Sequence, residues 1–151
     1  MLYFKAKEFE MGIVHAEITL KNACDEGNAS AGHIKPEDVR SVTVTAIADT
    51  GALNLVINEE VRQKLGLSIT GESTALIANG QRVKCQLTEA VYVHWKNRKT
   101  PCSAVVIPEA KAILFGAIPL EGMDLMVDPV SQEVVGAHGD IVETLILGAA
   151  A

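Results

Sequence analysis

The chain has 151 residues, 48% hydrophobic and 21% charged, which suits one packed domain and is too short for two ordinary ones. Thirteen Lys and Arg against 19 Asp and Glu give a formal net charge of −6 with no basic cluster to offset it, which argues against a nucleic-acid partner. No run of about 18 apolar residues is present, so neither a membrane span nor a membrane partner is expected.

The N-terminal stretch MLYFKAKEFEMG is charged too early and too often for the apolar core of a secretory signal. Ile13 to Leu20 alternates, with Val14, Ala16, Ile18 and Leu20 on one face, and predicts a strand. Lys21 to Asp38 holds Gly27, Asn28, Ser30, Gly32 and Pro36 and reads as a polar loop. Val39 to Ala48 alternates again, Val42, Val44, Ala46 and Ala48 against Ser41, Thr43 and Thr45. It runs directly into Asp49-Thr50-Gly51-Ala52. After the apolar run Leu53 to Ile57, a short helix is expected. Asn58 can cap it, Glu59 and Glu60 fill its first turn, and Gly66 can end it, with Val61 and Leu65 on one face.

A hairpin follows, Ser73 to Ala78 and Arg82 to Thr88, joined by Asn79-Gly80 as a two-residue type I′ turn. The β pattern continues through Val91, Val93 and Trp95, turns at Asn97 to Pro101, and resumes over Ser103 to Ile107 until Pro108. Ala112 to Gly116 reads as a buried strand ending in glycine, and Ala117 to Gly122 as a short helix with Pro119 in its first turn. Leu125 to Val127 and Val134 to Ala137 flank a turn at Asp128-Pro129-Val130-Ser131, and Ile141 to Leu147 is a candidate last strand. No repeat or linker interrupts the chain, so residues 1–151 are expected to form a single all-β domain with one or two short helices.

The chemistry centres on Asp49. A strand delivers this carboxylate into a tight glycine-containing turn between apolar segments, where it is costly unless hydrogen-bonded or functional. Asp-Thr-Gly by itself is compatible with a plain Asx turn. Its context is more specific. The succession Val44 to Ala52, then the hairpin around Asn79-Gly80, then Ile113-Leu114-Phe115-Gly116 resembles the retropepsin-like aspartic proteases, with a tail similar to the bacterial and archaeal single-domain members. The resemblance runs from about Ile13 to Val135.

That resemblance implies a closed acid-protease barrel and an aspartic endopeptidase acting on an extended peptide or protein substrate. It makes Asp49 catalytic and Thr50, Gly51 and Ala52 its active-site loop. Thr50 is then expected to bond across to a second chain, and Gly51 to let the backbone approach the aspartates. Ile77, Ala78, Asn79, Gly80 and Gln81 become a substrate-covering flap. Ile113, Leu114, Phe115 and Gly116 become the segment packed behind the loop. Two departures from the viral members are visible. Only Gly80 lies near the flap tip, and Ala117 stands where those members carry an arginine that ties the following helix, so here the helix is expected to dock by packing.

The chain carries one Asp-Thr-Gly, whereas aspartic chemistry needs two carboxylates sharing one proton, one activating water and the other polarising the scissile carbonyl. A homodimer is therefore expected, with Met123 to Ala137 and Ile141 to Leu147 contributing to the interface. The alternative from another class is a non-catalytic dimeric β-rich interaction module that kept the fold. Neither metal nor organic cofactor is implied. His15, His33, His94 and His138 show no ligand spacing, and Cys85 and Cys102 have no paired histidine motif. Trp95 is expected in core or interface packing. Cys24, Cys85 and Cys102, at no metal spacing, read as reduced thiols of a cytoplasmic protein.

Overall fold

The computed structural model describes residues 12–77 and 79–143. The architecture is mostly β, 47% strand against 18% helix, with three short helices. Strand β1 (Val14–Asn22) buries Val14, Ala16, Ile18 and Leu20, the face its alternation marked. Strand β2 (Ser41–Ala48) pairs antiparallel along it, from Val14↔Ala48 to Lys21↔Ser41, and turns Ala46 and Ala48 inward. Strand β3 (Leu55–Ile57) is wholly buried. Strand β4 (Ile69–Leu76) forms a hairpin with β5 (Arg82–Trp95), which also pairs with β6 (Arg98–Val106). Strand β7 (Leu114–Phe115) lies between β2 and β3.

The seven strands are ordered β1-β2-β7-β3-β6-β5-β4, and the end of β1 pairs additionally with β5, from Thr19↔His94 to Asn22↔Val91. The architecture observed is a mostly β sheet joined across β1 and β5. Ile18, Leu20, Leu55, Ile57, Leu65, Val91, Val93, Val106 and Phe115 are fully buried within it. Trp95, 9% exposed, belongs to the same core. Strands β8 (Leu125–Asp128) and β9 (Glu133–Gly136) form a separate hairpin at the expected place.

The polar stretch Lys21 to Asp38 is not a loop. It contains helix α1 (Ala23–Ser30) and a 3-10 turn at Pro36–Asp38. Asn22 caps α1 by accepting the Asp25 amide at 3.0 Å, and Asp25 and Glu26 fill the first turn, where carboxylates suit the helix dipole. Tertiary bonds supply what low propensity lacks. The Asp25 carboxylate binds Arg40 Nε at 2.7 Å and Nη2 at 2.9 Å, and His94 Nε2 lies 2.9 Å from Glu26 Oε1. Helix α2 (Glu59–Leu65) matches expectation: Asn58 accepts the Val61 amide at 3.0 Å, Gly66 ends the helix at φ +61°, and Val61 and Leu65 are buried. Helix α3 (Ala117–Gly122) also lies where the sequence put it.

Two turns differ. The β4–β5 connection is a longer loop than the two-residue turn expected. The Ile77 amide donates to Gln81 at 3.0 Å and the Gly80 amide to Ile77 at 2.9 Å, with Gly80 at φ +82°. That is a turn followed by a left-handed glycine, the usual form of a three-residue loop. Between β5 and β6 the turn is Lys96-Asn97, and Pro101 sits inside β6 opposite Tyr92. Strand β6 meets β3 only from Ala104 onward, so Pro101 lies on an open edge that tolerates a missing N–H. Of the candidate last strand, residues 141–143 are not in a strand and 144–147 lie outside the described residues.

Candidate active site

The end of β2 is held by backbone bonds on the side away from β1. Ile47 donates to Ile113 at 2.9 Å and Asp49 to Phe115 at 3.0 Å. The chain then reverses: the Ala52 amide returns to the Asp49 carbonyl at 3.1 Å, and the Gly51 amide donates to Asp49 Oδ1 at 2.8 Å. Among the described residues no other side-chain bond reaches the Asp49 carboxylate. Asp49 is half-buried, Thr50 and Gly51 are exposed, and Leu53 is 63% exposed. A Cβ on Gly51 would lie 3.1 Å from Asp49 Oδ1, so the glycine lets the loop close tightly around the carboxylate.

Behind this loop stands Gly116. A Cβ there would lie 2.7 Å from the Ala52 carbonyl oxygen and closer still to that of Asn54. The first residues of α3 reach the same loop, Ala117 donating to Ala52 at 2.8 Å and Ile118 to Leu53 at 2.9 Å. The expectation that α3 docks by packing alone is therefore corrected. Backbone bonds supply the tie, and buried Pro119 and Leu120 add packing. Ile113 and Phe115 are buried, while Leu114 is half-buried and faces a groove.

The groove measures about 640 Å³. Asp49, Gly51, Ala52, Leu53 and Asn54 line one side, and Ser73 to Ile77 of the β4 arm line the other. Its floor is apolar: Val56, Cys85, Val105, Ile107 and Leu114. Asp49 is the one charged residue lining it among the described residues. Of the expected flap, Ile77 borders the groove, Asn79, Gly80 and Gln81 form the exposed loop beyond it, and Ala78 lies outside the described residues. Asn79 Oδ1 accepts the Gln81 amide at 2.9 Å. Sequence reasoning missed Cys85 as part of the floor, although its alternation with Val83 and Leu87 already fixed the face.

A second concavity of about 550 Å³ lies between the outward face of β2 and α2. Its acid, Glu60, is paired with Lys64 at 3.0 Å, so the chemistry favours the Asp49 groove. Neither Cys85 nor Cys102 is placed as a nucleophile: Cys85 is 4% exposed, and burial pushes the Cys102 thiol up to about 11. Asp128 accepts the Val130 amide at 2.9 Å, an Asx turn that holds its carboxyl below the usual range. Among the described residues no three His, Cys, Asp or Glu side chains are arranged to hold a metal ion, and no helix is long and apolar enough to cross a membrane.

A mostly β fold with one Asp-Thr-Gly loop at the edge of an apolar groove, buttressed by a glycine-ended strand, defines an acid-protease type of domain. The aspartyl protease family model matches residues 36–149, and the chain belongs to that family, in its retropepsin-like form. No curated protein shows significant sequence similarity to it.

Proposed function

We propose that the protein is a homodimeric aspartic endopeptidase in which Asp49 of each chain meets its symmetry mate over one water. The observation that carries this reading is the position of Asp49 in its loop, on the border of a peptide-sized apolar groove beneath the β4–β5 hairpin. One carboxylate takes the proton of the attacking water while the other, protonated, donates to the scissile carbonyl oxygen; two like charges so close hold a single proton between them. Gly51 fixes the carboxylate orientation through its amide, and Thr50, exposed beside it, is free to bond to the partner chain. An extended peptide would lie between the Asp49 loop and the β4 arm, with the residues around Asn79-Gly80 closing over it and excluding water.

Apolar exposure supports the second copy. Met126 is 45% exposed, Val130 91%, Ile141 67% and Val142 54%, all on the hairpin and tail expected at the interface. The three thiols form no disulfide, which fits a reducing, cytoplasmic compartment. The test is cleavage of an unfolded protein by wild type and by Asp49→Asn. The asparagine is nearly isosteric but cannot serve as base, so the variant should stay folded and lose cleavage at every pH. Wild-type cleavage should fall at both ends of the pH range, where the shared proton is either joined by another or lost. Undiminished cleavage by Asp49→Asn refutes the aspartic mechanism. A wild-type dimer that cleaves nothing favours the interaction module.

A further inference from the structure

Away from the groove, a second polar cluster is built where β6 begins, α3 ends and the chain leaves β9. Arg98, 7% exposed, donates from Nη1 to the carbonyls of Met123 at 3.0 Å and Asp124 at 2.8 Å, and from Nη2 to that of Gly139. Asp124 stands at φ +53°, a conformation a non-glycine residue keeps only when its surroundings hold it. Its carboxylate, with the side chain 14% exposed, meets His138 Nδ1 at 2.8 Å and accepts the Glu143 amide at 3.0 Å. The other ring nitrogen of His138 lies 3.7 Å from Glu143 Oε2. One imidazole is thus clamped between two carboxylates, and residues 137–143 are strapped to the turn between α3 and β8. The strapped segment presents Ile141 and Val142, which the fold itself leaves uncovered.

We propose that this strap is a proton-operated latch on dimer formation. With His138 protonated, the segment is held so that Ile141 and Val142 meet a second copy of the chain; with His138 neutral, the hold slackens and association weakens. The inference rests on the homodimer reading above, which supplies the occupant, since one Asp-Thr-Gly per chain requires another copy of the same chain. The two carboxylates facing His138 act in the same direction. Its hydrogen bond to Asp124, and then the charges of Asp124 and Glu143, raise its pKa, and Arg98 opposes them. Asp124 itself is held below the usual carboxylate range, first by the Glu143 amide and then by His138, so it stays ionised across the range concerned. A raised histidine stabilises the latched form fully below its ordinary range of about 6.5 and loses that contribution as pH rises through the raised value. The loss is partial, because a neutral imidazole still donates one hydrogen bond to Asp124.

The test is sedimentation equilibrium of the full chain at about pH 6 and about pH 8.5, for wild type and His138→Gln. The wild-type dimer Kd should rise roughly three- to tenfold between the two, the scale of an exposed ion pair present twice per dimer. His138→Gln should show the weaker Kd at both. An invariant wild-type Kd, or a His138→Gln dimer that keeps the full dependence, overturns the latch and leaves the protease reading intact. A wild type that stays monomeric at both pH values and high concentration removes the homodimer reading, and the latch with it. If His138→Gln fails to fold by far-UV circular dichroism, Glu143→Gln takes its place; it removes only the exposed carboxylate and should reduce the dependence, and an unreduced dependence there also refutes the latch.

Discussion

Gly116→Ala puts one methyl group against the carbonyls that shape the Asp49 loop. The new Cβ would sit 2.7 Å from the Ala52 oxygen, 2.9 Å from the Asn54 carbonyl carbon and nearer than either to the Asn54 oxygen, all of them backbone. No side chain can swing away. Either β7 retreats from β2, loosening the Asp49–Phe115 bond of 3.0 Å, or the loop moves off α3 and loses the Ala117–Ala52 bond of 2.8 Å. Overpacking of this kind costs about 1–3 kcal/mol, and a weakened backbone bond adds about 1 kcal/mol, so about 2–4 kcal/mol is expected. For a chain of this size that lowers Tm by roughly 4–16 °C. Urea unfolding gives the free energy and peptide cleavage the positional effect, and activity should drop more than the folded fraction does. Gly27→Ala is the control of opposite sign. Gly27 lies inside α1 with nothing within 4 Å of its would-be Cβ, so the change should stabilise by about 0.5–1 kcal/mol. If Gly116→Ala unfolds at the wild-type urea midpoint and cleaves at the wild-type rate, the close contact behind the loop is not what positions Asp49.

Two further outcomes follow from the charges and thiols. Arg40 holds the Asp25 carboxyl below its ordinary 3.8, so the pair stabilises the fold above that value and fades as pH falls through the lowered one. Asp25→Asn should cost about 1 kcal/mol at neutral pH, discounted because Arg40 is half exposed, and the gap from wild type in urea unfolding should shrink toward about pH 2.5; a constant gap contradicts the pairing. Iodoacetamide at about pH 8 should label exposed Cys24 first. A Cys102 thiol raised from 9.0 to about 11 has about a hundredfold less thiolate and should lag, as mass spectrometry of peptides would show, whereas equal labelling of Cys24 and Cys102 in the folded protein would deny that burial.

What the sequence disclosed follows the range over which each signal acts. The faces of β1 and β2 are set by alternation within ten residues, and α2 by a cap, two acids and a glycine within nine, so both could be read directly. Helix α1 could not. Gly27, Asn28 and Ser30 are poor helix formers, and the bonds that hold it come from Arg40, 15 positions from Asp25, and His94, 68 positions from Glu26. Asn22 before Asp25 and Glu26 was the available signal, a capped acidic first turn. Asp49 announced itself through its motif. The groove floor did not, since bringing Val56, Cys85 and Val105 together takes the β3–β6 and β5–β6 registers, which no local pattern encodes. The Arg98–Asp124–His138 strap was hidden for the same reason, its bonds spanning 14 to 41 positions.

The two sides of the groove are held in different ways, and the difference bears on function. The Asp49 side is fixed by backbone bonds from Asp49 to Phe115, Ala52 to Asp49, Ala117 to Ala52 and Ile118 to Leu53. Because peptide groups make these ties, an alanine at 117 can stand where viral relatives use an arginine, while the glycine before it cannot grow. The opposite side is β4, where no residue is buried, whose Leu76 is 70% exposed, and which among the described residues pairs only with β5. Few buried contacts and one hydrogen-bonded edge are the conditions under which a segment opens at little cost. A carboxylate on a fixed side of the groove, facing a lightly held arm, suits the proposed reaction, in which the chemistry needs an accurate position and an extended substrate would need a way in.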